Sequence, residues 1–308
     1  MNLISSYKIC KSNRIRYLSI YSLLIIVLNS NLSLSQKPDD DINYFQVGFS
    51  ANVFRGVYLK DATAAAKVLT EFFLKKYNRV YEVKPHEVFS NIEELKRILK
   101  EQEFEVLVMH PSEYIQVKDL NLLEPIAVSW RNSSPYDSYY LLVHKDNNLR
   151  ELQDLEGKTV LVGSLEGNKA ELWIDYLLRQ KKLNEKEKFF SDIQLIDKPL
   201  STILPVFFKT KDACIVDESS YNTVVELNPQ IGRDLVTIEI SEPLAIGLIG
   251  VRKSISDPQI KAEIKEAFLN LHNYEESRQY LTVFRIGKVM EFNEEYLKST
   301  YALLQFKK

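Results

Sequence analysis

The chain has 308 residues, 45% hydrophobic and 27% charged, with 9 Gly and 10 Pro, a balance that excludes collagen-like, low-complexity and disordered classes. Its formal net charge is −2, and Lys and Arg are scattered, so there is no basic stripe for nucleic acid. At this length one core nears its practical limit, and two lobes are expected.

Residues 1–35 stand outside the fold argument. They carry Lys8, Lys11, Arg14 and Arg16 and no acid, followed by the apolar run YLSIYSLLIIVL at 17–28. Ser33 and Ser35 supply the small residues a signal peptidase needs, so the segment is expected to be a secretory signal removed before Gln36. The run is short for a bilayer span; the other reading is an uncleaved surface anchor. No Cys follows it, so no lipid anchor is expected. Taking four cations from the 40 Lys and Arg leaves 36 against 42 acids, a net of −6 for the exported chain. Export places the protein where disulfides form, yet Cys10 leaves with the signal and only Cys214 stays. The hydrophobic core must then hold the chain unaided. Cys214, inside the apolar run ACIV, reads as a small buried hydrophobe rather than a reactive thiol.

After the leader, strand-like and helix-like patterns alternate. FQVGFS (45–50) is a short strand, and 61–77 has helical spacing. YEVKPHEV is a second strand. SNIEELKRILKEQ is a helix, with Ser90 and Glu93 as a capping box and Ile92, Leu95, Ile98 and Leu99 on one face. FEVLVMHP (104–111) is almost continuously apolar, as a buried parallel strand would be.

LLEPIAVSW and SYYLLVHKD read as long extended segments over 122–146. ELQDLEGKTVLVG is a short helix, a Gly stop and a strand. GNKAELWIDYLLRQKK is a helix, QLIDKP a strand, LSTILPVFF a short helix and DACIVDESS a further strand. LVTIEISEPLAIGLIGVRKS is extended again. Asp257 as N-cap and Pro258 at the first helical position open a helix faced by Ile260, Ile264, Phe268 and Leu271. Asn293 opens the last one.

Two βα groups joined by two extended connectors imply an α/β chain that builds one lobe, crosses to a second and returns. The expected division is a first lobe of 36–130 and 245–308 and a second of 131–244, with hinge crossings near 125–145 and 240–250. Such lobes enclose a cleft at the carboxyl ends of their strands.

The order of FQVGFS, FEVLVMHPSEY, SPYDSYYLLVHKD, DLEGKTVLVGSLEGNKAELW, KDACIVDESSY and EPLAIGLIGVRKS over residues 43–305 resembles the type II periplasmic solute-binding proteins. The branch it resembles serves ABC importers of phosphate, phosphite and phosphonate. In that family a Ser-x-Ser-Gly run at a helix start holds the anion, through unpaired N–H groups and the helix dipole. The matching positions are Ser164, Glu166, Gly167 and Asn168. Glu166 departs from the pattern: it either caps the helix toward solvent or faces a ligand carrying an ammonium group. The resemblance further implies a two-lobed cleft with two crossing hinge strands, lined by Ser50, Asn52, His110, Tyr114, Tyr136, Ser138, Tyr139 and Asp217. Glu218 is the alternative to Asp217, and Asp197, Lys198 and Pro199 stand where the family often has a His. Tyr139 and Tyr140 point to opposite faces of a strand, so one at most sees the cleft.

The resemblance implies a non-catalytic, monomeric receptor, exported without a lipid anchor. It closes on a small oxyanion or amino-phosphonate and docks on a membrane permease, with no cofactor, metal or nucleic acid. A sensory receptor handing its closed state to a membrane kinase is the alternative. An enzyme on the same fold lacks support: the four His residues are dispersed, and there is no HExxH, GxSxG or nucleotide-binding glycine loop. An iron site from Tyr139, Tyr140, His110 and Glu166 conflicts with the strand-like setting of the two tyrosines. Exported material is expected to begin at Gln36, which N-terminal sequencing of the secreted protein checks; a first residue within 1–30 would refute cleavage there.

Overall fold

Alternation along the buried strands generates the architecture. The structure, a computed structural model, describes residues 44–54, 57–102, 104–131, 134–163 and 169–305; the expected leader and the helix-start run 164–168 lie outside the described residues. Val106 and Val108 point into one apolar cluster, while Leu107 and Met109 point into another. Successive residues of a strand face opposite ways, so a strand apolar throughout needs cover on both sides.

The first sheet has six strands in the order Lys288–Glu291, Leu123–Trp130, Leu248–Arg252, Val106–Met109, Val47–Ser50, Glu87–Phe89. Val47–Ser50 runs parallel to both Glu87–Phe89 and Val106–Met109. Leu248–Arg252 lies antiparallel between Val106–Met109 and Leu123–Trp130. One face is covered by helices Leu59–Lys76 and Pro258–Leu269, through Ala62, Ala66, Leu69 and Ile264. The other is covered by Ile92–Glu101 and Pro111–Val117, through Leu95, Ile98, Leu99 and Val117.

The second sheet has five strands, ordered Asp192–Ile196, Thr159–Gly163, Ala213–Asp217, Tyr139–His144, Leu235–Ile240. The first three are parallel, and the last two are the antiparallel strands that enter and leave. Leu141, Val143, Val160, Val162, Ala213 and Ile215 meet Trp173 and Ile174 of helix Lys169–Gln180. Leu142, Leu161, Cys214 and Val216 meet Ile203, Val206 and Val224 on the opposite side. Cys214 is fully buried and burial pushes its thiol pKa up, as expected of an inert core residue.

Between the sheets the outgoing and returning chains meet as a two-residue antiparallel ladder, Leu244 opposite Asp137 and Ala245 opposite Tyr136. These are the two crossing strands. The last helix, Lys298–Gln305, spans the same boundary, since Leu303 joins the core of the second sheet while Leu297, one residue before the helix, lies in that of the first.

Several local expectations shift. The expected strand 45–50 is two pieces, because Tyr44–Phe45 leaves the large sheet to pair with Glu82–Val83. YEVKPHEV divides into Glu82–Val83 and Glu87–Phe89 around Pro85, which has no N–H for a ladder. The cap of helix Ile92–Glu101 is Asn91, whose side chain accepts from the N–H groups of Glu93 and Glu94. Glu94 closes the box by accepting from Ser90 N at 2.6 Å. The Ser90–Glu93 box is therefore displaced by one residue, Asn being as good an N-cap as Ser. Asp257 caps its helix as expected, accepting from Gln259 N.

Phe49 is 1% exposed and packs on Phe284, Phe54 and His86, with ring centres 5.5 to 5.7 Å apart. Phe49→Ala should lower stability by about 3–5 kcal/mol, read from urea unfolding; a loss below 1 kcal/mol would show that the site collapses around the gap. Burial pushes the His86 imidazole pKa down, so near and below pH ~6.5 the unfolded chain binds this proton first. Stability tied to His86 is complete above that pH and is lost as pH falls. His86→Gln should shrink the difference between urea midpoints at pH 7.5 and 5.5, and an unchanged difference would refute the assignment.

Candidate functional site

The carboxyl ends of the parallel strands are where unpaired helix N-termini and loop side chains collect. In the first sheet Val47–Ser50 and Val106–Met109 end side by side, and Pro111, at the first helical position, makes the chain turn at once into a helix. Glu113, in the first turn of that helix, organises the corner. Its Oε1 accepts from the Ser50 hydroxyl at 2.6 Å and from Asn52 Nδ2 at 3.0 Å. Its Oε2 accepts from His110 N at 2.8 Å. Ser50 is fully buried, so its hydroxyl needs this partner.

His110 is 3% exposed and clamped at both ring nitrogens. Nε2 lies 2.9 Å from the carbonyl oxygen of Asn52, and Nδ1 lies 2.8 Å from that of Ile246. Nδ1 is also 3.1 Å from Nζ of Lys169. Proton placement follows from the partners: Nε2 donates to Asn52 O, and Nδ1 donates to Ile246 O when protonated or accepts from Lys169 when not. Lys169 is 4% exposed and stands in the first turn of the helix that follows Thr159–Gly163 of the second sheet. A residue at a strand end of one sheet thus touches a helix start of the other, across the gap between them.

The crossing contributes the next wall. Ser138 lines a cavity of about 330 Å³ with Tyr136, Arg131, Asp137, Glu218 and Ser219. Tyr136 packs on Tyr296 with ring centres 5.8 Å apart, and burial raises its hydroxyl pKa. Asp137, 9% exposed, accepts from the N–H groups of Ser138 and Ser219 and lies 3.8 Å from the Arg131 guanidinium. Asp217 ends its strand as the N-cap of helix Glu218–Leu227, accepting from Ser220 N at 2.8 Å. Tyr140 leaves the opposite face of its strand from Tyr139, stands over Tyr221 and is bonded to Glu218; burial and that carboxylate hold its hydroxyl well above the usual phenol range.

Ser50, Asn52 and His110 are therefore brought together through Glu113, while Tyr136, Ser138 and Asp217 cluster at the crossing. Tyr114 and Tyr139 are core residues. The first packs beside Leu95, Ile98 and Val117, and the second lies against Trp173. Ser164, Glu166, Gly167 and Asn168 fall outside the described residues, which resume at Lys169.

Glu113, Lys169 and Arg131 were not anticipated. The first had a signal, a carboxylate three residues after His110 and two after a helix-starting Pro. Lys169 follows the helix-start run, where a cation opposes the helix dipole and so reads as solvated. Arg131 ends a strand as an ordinary polar stop. In the structure its Nε donates to Arg285 O at 2.8 Å. It lines the crossing cavity, a small cavity beside His110, and a groove of about 790 Å³ that Ser219 also lines.

Comparison with known proteins bears on the fold and the family. A Xanthomonas citri protein solved with ATP aligns at a TM-score of 0.63 and 11% identity, over 85% of this chain and 95% of that one. A binding-protein component of an ABC phosphonate transporter from Pseudomonas aeruginosa aligns at 0.62 and 16%, over 87% of each chain. PhnD1 from Prochlorococcus marinus, in complex with methylphosphonate, aligns at 0.62 and 16%, over 87% and 99%. At these identities the likeness establishes the fold, the two-lobed type II binding-protein fold expected from the sequence. No curated protein matches by sequence. The family described as "ABC transporter, phosphonate, periplasmic substrate-binding protein" matches residues 80–297, and the chain belongs to that family of periplasmic substrate-binding proteins.

Proposed function

We propose that the chain is an exported, non-catalytic receptor that closes two lobes on a small phosphonate-like oxyanion and presents it to an ABC permease. The observation that carries this reading is the contact between Lys169 Nζ and His110 Nδ1. An ammonium is held almost out of water where the strand ends of the two sheets meet, a position that raises its attraction for an anion. Hydrogen bonds to charged groups are each worth about 1.5–3 kcal/mol, and several converging on one oxyanion give micromolar binding or better.

Closure is a hinge motion at the ladder of Tyr136–Asp137 with Leu244–Ala245. The ladder is flanked by Ile246 N donating to Pro135 O and Ser241 N to Tyr139 O, so the bend is concentrated in a short hydrogen-bonded crossing. In this reading residues 36–130 and 245–308 move against 131–244. The ligand also meets Asn52 and Ser138. Phosphonates carried by the relatives make methylphosphonate the first probe, and Glu166 makes an amine-bearing phosphonate the second.

A bound ligand stabilises the folded chain, by about 2.7 kcal/mol at a hundred times its Kd. Thermal melting with phosphate, phosphite, methylphosphonate and 2-aminoethylphosphonate should therefore raise Tm for at least one of the four. A shift confined to the amine-bearing compound places Glu166 against the ligand, and Glu166→Ser should then abolish it. Lys169→Gln, with an unchanged far-UV spectrum, should weaken the best ligand about 10- to 100-fold. Unchanged affinity in that variant, or no shift with any of the four, would overturn the proposal.

A further inference from the structure

The groove that opens beyond Arg131 is far larger than a phosphonate head group requires. At about 790 Å³ it falls in the range of pockets that hold whole organic ligands. Its described lining carries four cations, Arg131, Lys198, Arg278 and Arg285, and no carboxylate. That is a local inversion, because the chain as a whole has more acids than Lys and Arg. A cleft lined by one sign of charge concentrates ligands of the other.

The remaining lining is amphipathic. Leu200 and Leu227 are 46% and 74% exposed and form part of the groove with Leu281 and Ile286, while Ser201, Ser219 and Thr223 supply hydroxyls. Apolar side chains left in water beside a set of cations suit a ligand that is itself both apolar and anionic.

The cations are positioned by the backbone. Helix Arg278–Val283 ends with Ile286 N donating to Leu281 O and Arg285 N to Thr282 O, with Arg285 at φ +50°. That is a Schellman cap whose left-handed residue, usually Gly, is here an arginine. Arg131 Nε donates to the Arg285 carbonyl and so joins the cap to the crossing. Glu275 lies 3.5 Å from Arg278, but both side chains are at least three-quarters exposed, and such a pair yields readily to a better partner. Arg131 and Ser219 line both this groove and the crossing cavity, so the two spaces adjoin.

We propose that this groove is a subsite for the body of the ligand, and that the physiological ligand is an organic phosphate or phosphonate with an apolar portion and a second anionic group. The inference rests on the receptor reading above and specifies its ligand. One oxyanion sits on the Arg131 side, where the groove shares Arg131 and Ile286 with the small cavity beside His110; Arg278, Arg285 and Lys198 take the second charge, and Leu200, Leu227 and Leu281 cover the apolar part.

The test is calorimetric titration of the full chain with methylphosphonate and with hexane-1,6-diol diphosphate, a probe that joins two phosphates through an apolar chain. Both are titrated into the wild type and into the double variant Arg278→Gln/Arg285→Gln, whose substituted side chains are exposed and outside both cores. The diphosphate should bind the wild type at least tenfold more tightly than methylphosphonate. The variant should lose at least tenfold toward the diphosphate and stay within twofold toward methylphosphonate. Equal diphosphate affinity in variant and wild type would overturn the subsite, as would methylphosphonate binding with no diphosphate binding; in both cases the receptor reading survives. Failure of the wild type to bind either probe would overturn both. A parallel loss toward both probes would refute a separate subsite, since the arginines would then act on the whole cleft.

Discussion

Everything in this chain depends on two passes of backbone meeting between two sheets. Asp137 pairs with Leu244 and Tyr136 with Ala245, while the helix Lys298–Gln305 and the His110–Lys169 contact also bridge the two sheets. Because the chain leaves and returns at one place, the strand ends of both sheets point into the same gap. Asp137 belongs to the ladder and also accepts from Ser219 N at the start of a second-sheet helix. The crossing and the helix start are thereby one hydrogen-bonded unit.

The gap is polarised by few residues. Glu113 uses its carboxylate entirely on first-sheet donors, Ser50, Asn52 and the His110 N–H, and so fixes that wall. His110 then has its two nitrogens set against Asn52 O and Ile246 O, which leaves little freedom for the ring. Lys169 approaches from the other sheet. A buried ammonium is costly unless it is well partnered, and the His110 ring is one of the groups it meets at this boundary. Arg131 lines the crossing cavity, the small cavity beside His110 and the groove, and is held by the Arg285 carbonyl.

Much of the fold was legible because it rests on local chemistry. The continuous apolar run VLVM declared two-sided burial, and Asp257–Pro258 declared a helix start. The inference that Tyr139 and Tyr140 separate needed only strand alternation. Where local signals competed, the reading slipped by one residue, as at Ser90 and Asn91, or merged two strands, as around Pro85. The site was partly legible. Ser50, Asn52 and His110 were picked out one by one, but nothing in the sequence says that Glu113 ties them together. Lys169 is a charged residue on an amphipathic helix, indistinguishable by pattern from its solvated neighbours.

By itself the sequence determined the alternation of strands and helices, the caps that begin them, and the order of segments that identifies the family. These follow from propensities and periodicities acting over a few residues. Only the tertiary structure decided which residues meet: His110 with Lys169, 59 positions apart; Arg131 with Arg285, 154 apart; and the basic groove lined from four separate segments. Contacts across such separations are set by how two sheets are joined and twisted, and no local pattern encodes that.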